Sequence, residues 1–191
     1  MLQKGKSLRM TAPLIENFGA MQAPKSESLP FLNSAEFTTR CCILEPVLKD
    51  WIELLAALDA AGIRYLVVGG IAVGFHAEPR FTKDLDVLIH VRRPDQEKLY
   101  QVLKEYGAPI SILSSEEFLQ EDFVFHFGVP PWRIDILTSI PGVDFEKAYL
   151  AKAKLPLGTY QADCISKDWL IIAKRASGRP QDLLDLKSLD A

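Results

Sequence analysis

YLVVGGIAVGFHAEPRFTKDLDVLI, residues 65–89, decides the fold. It opens on an apolar run, Tyr65 to Val68, that ends in Gly69-Gly70. After a thirteen-residue spacer come Asp84-Leu85-Asp86 and a second apolar run, Val87-Leu88-Ile89. The pattern predicts a strand, a tight glycine turn, a short helix over about 71–77, a loop, and a second strand carrying two carboxylates. Side chains two apart on a strand share a face, so Asp84 and Asp86 point the same way, roughly 6–7 Å apart along the strand. Leu85, Val87 and Ile89 take the other face and are free to be buried. Two carboxylates this close repel each other, and a divalent cation with a taste for oxygen ligands keeps both ionised.

In this order and spacing, Val68-Gly69-Gly70 followed by Asp84-Leu85-Asp86-Val87 resembles the nucleotidyltransferase signature of the DNA polymerase beta superfamily. The resemblance implies a polymerase beta-type fold and a magnesium or manganese site that includes Asp84 and Asp86. It implies a nucleoside triphosphate whose phosphates lie against the backbone N–H groups of Gly69 and Gly70, at the start of the helix. The second glycine stands where serine is frequent in the family, which removes one hydroxyl contact. Arg80 in the intervening loop is a candidate phosphate contact, or a solvated loop residue.

The chain has 191 residues, 48% hydrophobic and 25% charged, which fits one α/β domain with an appended segment. A formal net charge of −3 gives no general basic field for nucleic acid. Three cysteines, two of them adjacent (Cys41-Cys42, and Cys164), provide neither a disulfide framework nor zinc spacing, and a reducing cytoplasm is the expected setting. Residues 1–40 mix Lys, Ser, Pro and Gly with aperiodic apolar residues, so they are expected to be a poorly ordered extension. The nucleotidyltransferase domain is then residues 41–191.

Beyond the opening stretch, the alternation of elements predicts a small mixed sheet with flanking helices. Val47, Trp51, Leu54, Leu55 and Leu58 mark a helix over about 46–61. Leu99, Val102, Leu103 and Tyr106 mark another over 94–106. Ser114 to Glu117 can cap a short turn of helix. Residues 123–128 and 132–138 read as adjacent strands joined at Val129-Pro130-Pro131. Residues 155–165 read as a loop with a short extended piece, and two short helices follow, about 167–176 and 181–189.

Asp135 is a carboxylate in the middle of an apolar strand, where it needs a partner or a metal. In the polymerase beta superfamily a third carboxylate arrives from a neighbouring strand, and Asp135 matches it; a salt bridge with Arg133 is the other reading. His126 is expected as a cross-strand neighbour of Asp135. The last stretch resembles the C-terminal segment of AbiEii toxin-like nucleotidyltransferases through Lys174, Arg179 and Asp182, departing from it at Gln181. That implies nucleotide contacts from Lys174 and Arg179. Lys174, at the edge of a stripe formed by Leu170, Ile171 and Ile172, is expected to extend its ammonium to the triphosphate.

The whole resemblance covers about residues 46–190. It implies two-metal transfer of a nucleoside monophosphate from a triphosphate to an acceptor hydroxyl, with Asp84 and Asp86 holding both magnesium ions and Asp135 ligating the one nearer the acceptor. The acceptor is a tRNA, a protein or a small molecule, and a toxin–antitoxin setting would add a cognate antitoxin or regulator. The other reading is a non-catalytic, antitoxin-like nucleotide-binding partner.

Overall fold

The computed structural model describes residues 7–9, 45–77 and 82–190. Seven strands form one mixed sheet: β1 (Ser7–Arg9), β2 (Arg64–Val68), β3 (Asp84–His90), β4 (Val124–Phe127), β5 (Arg133–Leu137), β6 (Ala153–Leu157) and β7 (Tyr160–Cys164). Their order across the sheet is β1-β4-β5-β3-β2-β7-β6. Six α-helices flank it: α1 (Glu45–Ala60), α2 (Gly69–His76), α3 (Gln96–Glu105), α4 (Phe145–Leu150), α5 (Lys167–Ser177) and α6 (Pro180–Leu189). The α/β class and the mixed sheet expected from the alternation are therefore present. The expected boundary near residue 40, and Arg80, fall outside the described residues.

Period-two patterning sets the central strands. Leu85 pairs with Ile134 and Val87 with Ile136 across the parallel β3–β5 ladder. Phe125 pairs with Ile136 and Phe127 with Ile134 across the antiparallel β4–β5 ladder. All of these side chains are buried, and they make one continuous apolar face with Leu54, Leu55 and Leu58 of α1 and Leu99 and Leu103 of α3. Phe118, Phe123, Phe125 and Phe127 pack ring on ring in this layer, with centroids 5.1 to 6.3 Å apart. Burying each such side chain stabilises the fold by roughly 1.5–3 kcal/mol. A slip of one residue in β3 or β5 would carry the carboxylates into this layer, so the register is strongly specified.

The 155–165 segment differs from the sequence expectation. It is a β-hairpin, β6–β7, turning at Gly158 with φ +62°. Leu155, Leu157, Ala162 and Cys164 alternate into the core, and β7 joins β2 through Val67 and Cys164. Pro156 obscured the pattern, but proline is tolerated here because β6 is an edge strand. His76, at the end of α2, lies with Nε2 2.6 Å from the Ile165 carbonyl and so ties that helix to the end of β7. Among the described residues no helix is long and apolar enough to cross a membrane.

Candidate active site

The polar face of the central strands carries the chemistry. Because β3 and β5 run parallel, Asp84 stands beside Arg133 and Asp86 beside Asp135. Because β4 runs antiparallel to β5, His126 stands on the other side of Asp135. The β3–β5 ladder thus brings the three carboxylates expected from the sequence onto one face, and the β4–β5 ladder adds His126.

Asp86 is the most constrained of the three. Burial, with the charges of Asp135 and Asp84 beside it, pushes its carboxyl up to about 7. Gly70 donates its backbone N–H to this carboxylate. Gly69 adopts φ +63°, and a Cβ placed there would stand 1.9 Å from Asp86 Oδ2. Gly69 is therefore required twice: for its left-handed backbone, and for the space that Asp86 fills. As described, the glycine turn shapes the seat of a carboxylate. Burial also raises Asp84, with Asp135 adding to the effect and Arg133 opposing it.

Arg133 lies among these groups. Its Nη2 donates to Asp84 Oδ2 at 2.9 Å and its Nε to Asp135 Oδ1 at 2.7 Å. His126 Nδ1 lies 2.8 Å from the same Asp135 oxygen. Asp135 thus shares the face of Asp84 and Asp86 and is salt-bridged to Arg133, the second of the two sequence readings. That Arg133 also reaches Asp84 was not foreseen. The signal was its position two residues before Asp135, which puts both on one face.

The fit to a divalent cation follows from the donors. Three carboxylates on one face supply hard oxygen ligands, and the carboxyl of Asp86 is raised first by burial and then by the charges of Asp135 and Asp84. Among the described residues no three His, Cys, Asp or Glu side chains yet close around a single point; Arg133 spans two of the carboxylates instead.

The C-terminal helices correct the expectation for Lys174. The buried face of α5 is Leu170, Ala173 and Lys174, while Ile172 is exposed, so Lys174 lies on the buried face and not at its edge. Its ammonium donates to Asp182 Oδ1 and Asp185 Oδ2, each at 2.8 Å. It is 5% exposed, and Asp182 and Asp185 are buried with it. Such an ammonium is already fully engaged, and it acts on Asp86 only through its field, which favours the ionised carboxylate. Helix α6 accordingly turns Asp182, Asp185 and Leu189 inward and leaves Leu183 and Leu184 exposed. Arg179 pairs with Asp182, Nε to Oδ2 at 2.7 Å, and its side chain is otherwise largely exposed.

No family model matches the chain. No curated protein matches it either. Among solved structures it is similar to an antigenic nucleotidyltransferase-like protein from Paracoccidioides brasiliensis, with 20% identity, 74% of each chain covered and a TM-score of 0.48. It is also similar to the lincosamide antibiotic adenylyltransferase LnuA in its lincomycin-bound form, with 16% identity, 75% of this chain and 96% of that one covered, and a TM-score of 0.48. A third is the antibiotic-resistance factor ANT(2'')-Ia, with 13% identity, 76% and 83% covered, and a TM-score of 0.48. Likeness of fold at this distance leaves the chemistry to be argued from the side chains.

Proposed function

We propose that the chain is a metal-dependent nucleotidyltransferase that moves a nucleoside monophosphate from a triphosphate to an acceptor hydroxyl. The observation that carries this reading is the register that puts Asp86 beside Asp135 and Asp84 on the same face. Asp84, Asp86 and Asp135 would hold magnesium or manganese. A cation bound there supplies charge neutralisation for the triphosphate and acidifies the acceptor hydroxyl. Asp135 receives the proton as the acceptor oxygen bonds to the α-phosphorus; the bond from that phosphorus to the bridging oxygen breaks, and pyrophosphate leaves. The first turn of α2, opened by Gly69 and Gly70, would offer phosphate oxygens the backbone N–H groups that Asp86 does not take. Arg179, within electrostatic reach of Asp86, would supply positive charge to the triphosphate, and Arg80, outside the described residues, is kept as a phosphate contact on the sequence pattern alone. Lys174, held by Asp182 and Asp185, contributes through its field on Asp86.

The pattern of Lys174, Arg179 and Asp182 supports placement near the AbiEii toxin-like branch, with a toxin role and a cognate antitoxin as its extension. The reducing cytoplasm is the proposed setting, and Cys164 is a buried free thiol. A second reading, a nucleotide-binding regulator without catalysis, is favoured by Arg133 already neutralising two of the carboxylates.

Incubation with each α-labelled triphosphate, magnesium and cell extract distinguishes the two readings. Label transferred to a macromolecule or small molecule, with pyrophosphate released, is the expected result. Triphosphate binding with no transfer to any acceptor supports the regulator.

A further inference from the structure

Arg133 has no part in the transfer chemistry, yet it is the cation that the carboxylate face already holds. Its guanidinium bridges β3 to β5 by donating to Asp84 Oδ2 and Asp135 Oδ1. A planar fork with fixed donor spacing suits this span, and such charge-assisted bonds are stronger than neutral ones. A divalent cation ligated by Asp84 and Asp135 would draw on the same two carboxylates, and two cations packed that closely repel, so each weakens the other's hold.

We propose that Arg133 is a resident counter-cation, which holds Asp84 and Asp135 on the sheet until an incoming divalent cation displaces it. The inference rests on the reading of the three carboxylates as metal ligands. The Arg133 side chain is 41% exposed, so a released guanidinium can turn out to solvent. Arg133 is therefore a positioning residue, acting through the carboxylates it holds.

The test measures manganese binding calorimetrically, without nucleotide, for the unaltered chain, Arg133→Gln and Arg133→Lys. Arg133→Gln removes the competing charge and is expected to tighten the manganese Kd by about tenfold, the weight of one charge-assisted hydrogen bond. In chelator its melting temperature falls. Arg133→Lys keeps the charge without the fork and falls between the two. Arg133→Gln binding manganese no better than the unaltered chain overturns the inference while leaving the metal reading intact. Manganese binding to none of the three overturns the metal reading itself. Selective arginine 15N spectra of the unaltered protein give a second readout that needs no variant. One Nε–H, shielded from solvent exchange in chelator, is expected to lose that shielding when magnesium saturates the site. Shielding that persists at saturation overturns displacement.

Discussion

Two clusters of charge lie within electrostatic reach of each other and are built on opposite plans. Around Lys174, two cations meet two carboxylates, Asp182 and Asp185, and every contact is short. Burial works against the charge of Asp182, but hydrogen bonds from Arg179, Lys174 and Ser177 overcome it and hold the carboxyl well below its usual range. On the strand face Arg133 binds two of the three carboxylates, with His126 alongside, and burial and its neighbours' charges push Asp86 up to about 7. The first cluster is satisfied and the second is not. A structural ion cluster is closed by its own chain, whereas a site for a ligand is left with charge that the ligand completes.

The largest expected effect tests the closed cluster. Lys174→Ala takes the ammonium away from two buried carboxylates and is expected to destabilise the fold by about 3–5 kcal/mol in urea unfolding. A loss below about 1 kcal/mol, the range of an exposed pair, would erase the contrast between the clusters.

Next comes Gly69→Ala. The left-handed backbone alone costs roughly 1–2 kcal/mol with a Cβ present, and the methyl would also strike Asp86. The same substitution made beside Asp86→Ala should cost less, because most of the clash has been removed. Equal costs in both backgrounds, read by denaturation, would show that Asp86 does not occupy that space.

The last test is in pH. Asp86 has a folded pKa raised from 3.8 to about 7, so between those values the folded state holds a proton that the unfolded chain releases. Metal-free stability should therefore fall as pH rises from about 4 to 7. Asp182 has the opposite sign: its contribution is present above about 3.8 and is lost as pH falls further, toward its depressed folded value. Chelator-treated melting curves from pH 4 to 8 check the first slope, and its absence in Asp86→Asn assigns it.

The site was legible in the sequence where strands supply it. Alternation in DLDVLI puts Asp84 and Asp86 on one face of β3, and in WRIDILT it puts Arg133 and Asp135 on one face of β5; the β3–β5 ladder joins the two faces. What was not legible depends on contacts between elements distant in sequence. Leu170-Ile171-Ile172 looked like a buried stripe, but the buried turn is Leu170, Ala173 and Lys174, because Asp182 and Asp185 arrive from α6 to receive the ammonium. Charge pairing overrode hydrophobicity on both helices, leaving Leu183 and Leu184 outside. The β6–β7 hairpin was hidden by Pro156, whose tolerance depends on the strand lying at the sheet edge. The second contact of Arg133, to Asp84, depends on the parallel β3–β5 pairing, which no local pattern encodes.

The central claim is that the strand face is short of positive charge that a divalent cation supplies. Melting of the unaltered chain and Asp86→Asn, each in chelator and in saturating manganese, tests it most directly. The account predicts that in chelator Asp86→Asn is at least as stable as its parent at pH 8, because like-charge repulsion is relieved. It predicts that manganese raises the melting temperature of the parent by several degrees and that of the variant far less. Equal manganese shifts in both proteins, or a variant markedly less stable in chelator, would contradict it.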